Sequence, residues 1–427
     1  MSFSPHRGRG GGPIAGNRQP SWRAHSSSTN GVELPSRSLL VELNASEIKP
    51  TSVKAGISGY KCIASYNWLN SSKPKILVPG CPPIWDPPAQ SWNLKPDSGE
   101  VFIDQNAARY AAFPTEPMFR ALYEMDPDLD LDDIDVVICR NSMGKLLDYV
   151  SGSIRAFDID VEIFGDKAVF VRREHRSTEF VNGFRGFGHT FPEQYTRWDR
   201  DVKGSSSHHR VAKYEFGGLM YLLRFETDAY LPEKSDSSQE AQSWRPQAEE
   251  NPDESDDLLG SGDSMTIGER RPSTGHELVV RRRGHQVDQE AAAEIKTRAA
   301  HKVIDMNGVL PRLWISQTPS LIVAYHKGGK FDDVKVHNIR DQLDAWQDLN
   351  NVNLRRLNAL IRQIIDIVQD TISMKCRIRR NEGGKLQIWE LDIGYKSALP
   401  EDLGLLLKEE KDFADKSESL EGLNAGG

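Results

Sequence analysis

The chain has 427 residues, with 62 acidic and 54 basic side chains and a net charge of −8. A dedicated polyanion binder is normally basic overall, so any nucleic-acid contact is expected in a local groove. No window approaches ~18 consecutive apolar residues, which rules out a membrane-spanning helix and a membrane partner.

The four cysteines, Cys62, Cys81, Cys139 and Cys376, form no CxxC pair. That spacing rules out a disulfide scaffold or a cysteine zinc site and suits a reducing compartment. Residues 1–32 carry arginines (Arg7, Arg9, Arg18, Arg23), glycines and serines but no acid. They read as a disordered basic arm, either RNA-touching or an organelle presequence, although no amphipathic face is visible. Residues 33–231 then form the first part of a folded domain. Within it, 159–173 alternates around Gly165-Asp166 and predicts a hairpin, and 216–230 is an apolar, aromatic, β-leaning stretch. Residues 232–275 hold Glu249, Glu250, Asp253, Glu254, Asp256 and Asp257 with almost no large apolar residue. Such an insertion cannot offset its ordering entropy by burial and predicts a disordered loop.

The second part of the domain is placed at 276–400. Residues 320–326 predict a buried strand, followed by a Gly328-Gly329 turn and a short strand near Val334. Leu354, Leu357, Leu360, Ile361, Ile364, Ile365 and Val368 recur at three and four, which predicts a helix over 352–372. A further hairpin over 374–394 turns at Gly383-Gly384, and 401–427 reads as an acidic flexible tail. The fold class is α+β, a mixed β-sheet flanked by helices.

Glu226 and Asp228 close an apolar strand and, two apart, share one face of it if the chain stays extended. Two carboxylates there repel each other unless a hard divalent cation with oxygen ligands sits between them. A solvated strand end is the plain alternative. Glu294 and Lys296 share a face if 293–297 is a strand, adding a carboxylate and a point charge suited to phosphodiester hydrolysis. If 288–301, rich in helix formers, is helical, the two side chains diverge by about 200° and no site forms.

Short stretches in fixed order resemble the DXO family of decapping exoribonucleases. They are Arg140 followed by Lys145-Leu146-Leu147, Gly188-His189-Thr190-Phe191-Pro192-Glu193, Glu226-x-Asp228, Glu294-Ile295-Lys296-Thr297, and Trp314 with Gln317. The resemblance spans about Val136 to Trp346 and implies a sheet-based nuclease core related to PD-(D/E)XK enzymes. It favours the strand reading of 293–297. Pro192 departs from the pattern by one inserted residue before Glu193, and the long interval from Asp228 to Glu294 contains the acidic insertion.

Residue by residue, the resemblance implies that Glu193, Glu226, Asp228 and Glu294 hold one or two Mg²⁺ or Mn²⁺ ions. Lys296 and Gln317 would orient the scissile phosphate and water, and Arg140 would contact the RNA 5′ end. The implied reaction is metal-dependent hydrolysis at RNA 5′ ends, as decapping, deNADding or pyrophosphohydrolysis, with 5′-3′ exoribonuclease trimming. A 5′-3′ exoribonuclease is the implied protein partner and the nucleus or cytoplasm the implied location, with the mitochondrion if the arm is a presequence. The alternative is a degenerate member that binds RNA or a nuclease partner without catalysis.

Other features are weaker. Arg172-Arg173, Arg281-Arg282-Arg283 and Arg298 could line a phosphate-tracking groove or be solvated edges. His208-His209 would face opposite sides of a strand, so a loop is the better reading. Gly183–Gly188 reads as a turn, since its spacing fits no phosphate-binding fingerprint. The acidic run 126–135 lacks the spacing of a prenyl-diphosphate synthase motif.

Overall fold

Period-two alternation sorts the side chains of this chain onto the two faces of a large sheet, and helices cover both. The computed structural model describes residues 36–181, 186–232 and 277–408. The basic arm 1–32, the acidic insertion apart from Pro232, the first half of the glycine-rich turn at Gly183 and the tail beyond 408 lie outside the described residues.

In chain order the first strands are β1 (Ser36–Leu43), β2 (Ile57–Leu69), β3 (Lys75–Gly80), β4 (Ile84–Trp85) and β5 (Gly99–Phe102), followed by helices α1 (Gln105–Arg109) and α2 (Glu116–Met125). β6 (Val136–Cys139) runs into α3 (Arg140–Val150), and β7 (Phe157–Phe164) and β8 (Lys167–Arg173) form the expected hairpin about Gly165. β9 (Thr178–Val181), α4 (Thr190–Tyr195) and β10 (Thr196–Arg197) lead to β11 (Ser205–Phe216), β12 (Leu219–Glu226) and β13 (Ala229–Tyr230). After the insertion come β14 (Val279–Gly284), β15 (Ala292–Ala299), α5 (Met306–Ser316), β16 (Ser320–Lys327) and β17 (Lys330–Asn338). α6 (Arg340–Leu349), α7 (Asn351–Gln369) and the hairpin β18 (Lys375–Arg380) to β19 (Leu386–Leu391) complete the labelled elements.

An eleven-stranded sheet runs β1-β19-β18-β7-β8-β6-β12-β11-β2-β3-β14, and a six-stranded sheet runs β10-β4-β13-β15-β16-β17. Both are mixed: β6 is parallel to β8 and β12, and β15 is parallel to β16. Each sheet takes strands from both sides of the insertion. On one face of the large sheet, Ile159, Phe170, Tyr221 and Leu223 pack with α3, α5 and the apolar stripe Leu354, Leu357, Ile361, Ile364 of α7. On the other face Val169, Val171 and Leu222 pack with Phe119 and Leu122 of α2.

The predicted hairpins, the strand over 320–326 and the long helix are all present, and the mixed α+β architecture is as expected. The tail expectation is corrected at its start. Residues 401–408 are helical. Leu403 and Leu407, four apart on one helical face, are buried in the α2-side core, and Asp402 pairs with Arg120 at 2.8 Å. Among the described residues no helix is long and apolar enough to cross a membrane. Leu403→Ala should cost about 2–5 kcal/mol by opening a cavity under α2, measured by denaturant unfolding.

Candidate active site

The site is built where the chain leaves one sheet for the other. β12 ends at Glu226 in the large sheet, residues 227 and 228 are not in a strand, and β13 opens the small-sheet pairing at Ala229. Residues 226–228 thus carry the chain from one sheet to the other, with the Thr227 N–H still donating to His208 O at 3.0 Å. β13 pairs antiparallel with β15, Ala229 facing Ala293, which brings Asp228 beside Glu294. The Ile295 backbone N–H donates to Asp228 Oδ2 at 2.8 Å. The local composition of 288–301 favours a helix, yet the in-register ladder of β15 on β16, from Ala293–Ser320 to Ala299–His326, makes it a strand.

Arg140 reaches the same point by a different route. β6 and β12 are parallel, with Cys139 opposite Arg224, so the first residue of α3 emerges beside Phe225 and Glu226. Its guanidinium is buried, 8% exposed, and lies 6.0 Å from the Phe225 ring centroid. It donates to Glu294 Oε2 at 3.0 Å, and Ser316 Oγ is 3.5 Å away. The Glu294 carboxylate, 2% exposed, also takes Lys296 Nζ on Oε1 at 2.6 Å, with Arg312 at 3.8 Å.

Burial and charge push these carboxylates apart in acidity. Burial first, and then the Asp228 charge, raise the Glu226 carboxyl to about 7. Asp228 is raised by burial and by Glu294. At Glu294 burial acts in the same upward direction, but Arg140, Lys296 and Arg312 outweigh it and hold the group well below the usual carboxylate range. Three carboxylates, Glu294 buried and Glu226 and Asp228 half-buried, two of them with raised proton affinity, form an all-oxygen donor set whose oxygens are not all drawn within 4.8 Å of one another. That chemistry fits a hard divalent cation.

Two other expected site residues are placed elsewhere. Phe191 and Tyr195 of α4 pack against Ala293 and Ile295 of β15 and Ile322 and Ala324 of β16. Glu294 and Lys296 leave β15 on the opposite face, where Leu321 and Val323 join the main core. Glu193, exposed on α4, is thus across the small sheet from Glu294. Pro192, the residue that departs from the expected motif, lies inside this six-residue helix immediately before Glu193. Gln317 caps α5 in a left-handed conformation (φ 50°) and turns its amide back onto Trp314 O at 2.6 Å. Arg140 is an internal counter-ion and not an exposed contact, because the parallel strand pair that positions it also buries it.

Arg312 and Ser316, one helical turn apart on α5, were missed by sequence reasoning. Their i, i+4 spacing just ahead of Gln317 is the signal that could have found them. His208 and His209, expected in a loop, lie buried within β11, His208 on Asn67 Oδ1 at 2.6 Å and His209 stacked on Tyr66.

The family described as "Domain of unknown function (DUF8563)" matches residues 39–407. The chain belongs to that family. No curated protein matches this DUF8563 member. Among solved structures it is similar to Rai1 of S. pombe, with 12% identity and TM-score 0.52 over 82% of this chain and 99% of that one. Candida albicans Rai1, solved in complex with pU5-Mn²⁺, gives 11% identity and TM-score 0.52 over 86% and 98%. Scheffersomyces stipitis Rai1 gives 12% and 0.50 over 87% and 97%. At these identities the likeness is one of fold, and it is the fold the motif order implied.

Between the ordinary carboxyl range and about 7 the folded chain holds a proton at Glu226 that the unfolded chain releases, so Glu226 costs stability as pH rises through that window. Without divalent cations, Glu226→Gln should stabilise the protein by about 1–3 kcal/mol near pH 8 and by almost nothing near pH 4. Thermal denaturation at the two pH values measures the difference.

Proposed function

We propose that this DUF8563 protein is a divalent-cation-dependent hydrolase of RNA 5′ ends. The observation that carries the reading is the placement of Glu226, Asp228 and Glu294 around one sheet junction, Glu294 buried and the other two half-buried, with Lys296 on Glu294. The fold shared with Rai1, and the pU5-Mn²⁺ complex of the Candida albicans protein, support an RNA 5′ end as substrate and Mn²⁺ or Mg²⁺ as the cation.

Glu226, Asp228 and Glu294 would hold the cation, which when bound lowers the pKa of a water and polarises the phosphoryl group. The residues of the chain do the rest. Arg140 keeps Glu294 ionised and fixes its Oε2, while Ile295 N–H orients Asp228. The Lys296 side chain, 31% exposed, is held on Glu294 and reaches solvent, as the Arg312 side chain does, and its role is to bind a substrate phosphate as a point charge. Glu226, with an affinity for protons near neutrality, can give or take one at the site.

A second reading is favoured by specific observations. Glu294 is already engaged by two cations, Glu193 is across the sheet and Gln317 is turned away. A member that binds RNA or a nuclease partner without cleaving would look like this. The discriminating experiment incubates full-length protein with 5′-monophosphate, 5′-triphosphate and NAD-capped RNA, with and without Mn²⁺. Product release that EDTA abolishes, that Asp228→Ala lowers on the order of 10²–10³-fold, and that Glu193→Ala leaves unchanged is expected. Intact RNA in every lane overturns hydrolysis and leaves the scaffold.

A further inference from the structure

We propose that Cys81, Asp199 and His285 form a second metal site on this chain, one that takes zinc and staples the edge of the large sheet. Their ligand atoms all lie within 4.8 Å of one another, the only such group among the described residues. A zinc ion reaches ~2.3 Å to sulfur and ~2.0–2.2 Å to nitrogen or oxygen, so three atoms this close can share one ion with adjustment of the exposed His285 side chain.

The backbone builds this meeting. β3 and β14 are parallel with Gly80 opposite Gly284, so Cys81 and His285 are the next residues off the same end of adjacent strands. Both glycines have positive φ, 62° and 85°, and turn the two strands together. A Cβ on Gly284 would come within 2.6 Å of the Gly80 carbonyl, and a Cβ on Gly80 within 2.3 Å of Asn67 Oδ1. Only glycine allows this close approach. The His285 N–H donates to Gly80 O at 3.0 Å, and Asn67 Nδ2 donates to Cys81 O at 2.9 Å, which fix both ligands from the backbone side.

Asp199 arrives from the segment between α4 and β11. It stands at the N-cap of a 3-10 turn (Arg200–Val202) but makes no side-chain capping bond there. Val202 is buried with Cys81, Tyr230 and Val287, which anchors that turn against the strand ends.

The donor set decides the metal. One thiolate, one neutral imidazole and one carboxylate are a borderline-soft set suited to zinc, in contrast to the all-oxygen set at Asp228. Binding converts the Cys81 thiol to a thiolate and releases its proton to solvent; thiolate, carboxylate and Zn²⁺ then sum to zero, which suits a site whose cysteine is fully buried. With three protein ligands and an exposed histidine, a fourth position remains for water. The staple would hold β14, the first strand after the acidic insertion, to the 3-10 turn and to β3.

Full-length protein stripped with a chelator and titrated with Co²⁺ tests the site. One equivalent with a sulfur-to-cobalt charge-transfer band is expected, displaced by Zn²⁺ and absent in Cys81→Ser. His285→Ala, which removes an exposed ring set edge-on to Tyr230, should weaken Zn²⁺ binding by at least the ~10–100-fold that loss of an outer-shell partner costs. It should also remove the zinc-induced rise in melting temperature. Asp228→Asn should keep the band, which separates this site from the hydrolase reading. No sulfur band in the wild type, a band surviving Cys81→Ser, or unaltered affinity in His285→Ala overturns the proposal.

Discussion

The Arg140–Glu294 pair is the interaction on which the rest of the site depends. Both partners are almost wholly buried and come from elements 154 positions apart in the chain, one off the end of β6 and the other on β15 of the second sheet. Removing one partner of a buried pair leaves an uncompensated charge, which is far costlier than the net worth of the pair. The two sheets are therefore locked at their junction by a contact that also fixes the ionisation of one carboxylate. Glu226 and Asp228 have no such partner of their own, and their raised proton affinity is the consequence.

What sequence could and could not show follows from the range of the forces involved. The β7–β8 and β18–β19 hairpins and α7 were legible because period and turn glycine act over a few residues. The mixed architecture followed from them. The 288–301 segment is the instructive case. Its alanines and glutamates favour a helix, and only the ladder with β16 decides otherwise, so local reading had to leave both options standing. Glu226 and Asp228 are legible as neighbours, but that Asp228 meets Glu294 depends on the pairing of Ala229 with Ala293, which no local pattern announces. The burial of Arg140, expected at the RNA 5′ end, was not legible because nothing in its neighbours announces the parallel β6–β12 pair.

Cysteine arithmetic has a similar limit of range. The absence of a CxxC pair excludes a site whose ligands are close in sequence. It says nothing of Cys81, Asp199 and His285, which are drawn together by a parallel strand register and two left-handed glycines. The tail reading erred in the opposite direction. Acidic composition over 401–427 outweighed the i, i+4 pair Leu403 and Leu407, although two buried leucines suffice to dock one helical turn.

Charge balance ties the geometry of the junction to its chemistry. Three carboxylates surround the site, and Arg140, buried and held between Glu294 and Ser316, neutralises one of them permanently. The Lys296 ammonium and the Arg312 guanidinium, both on the Oε1 side of Glu294, bring the count to three cations for three carboxylates. All three cations gather on Glu294, so charge is balanced over the junction as a whole but not at Glu226 and Asp228, whose raised proton affinity follows from that uneven placement. Lys296 and Arg312 both reach solvent, and either can turn to a phosphate without leaving Glu294 uncompensated, because Arg140 stays buried against it.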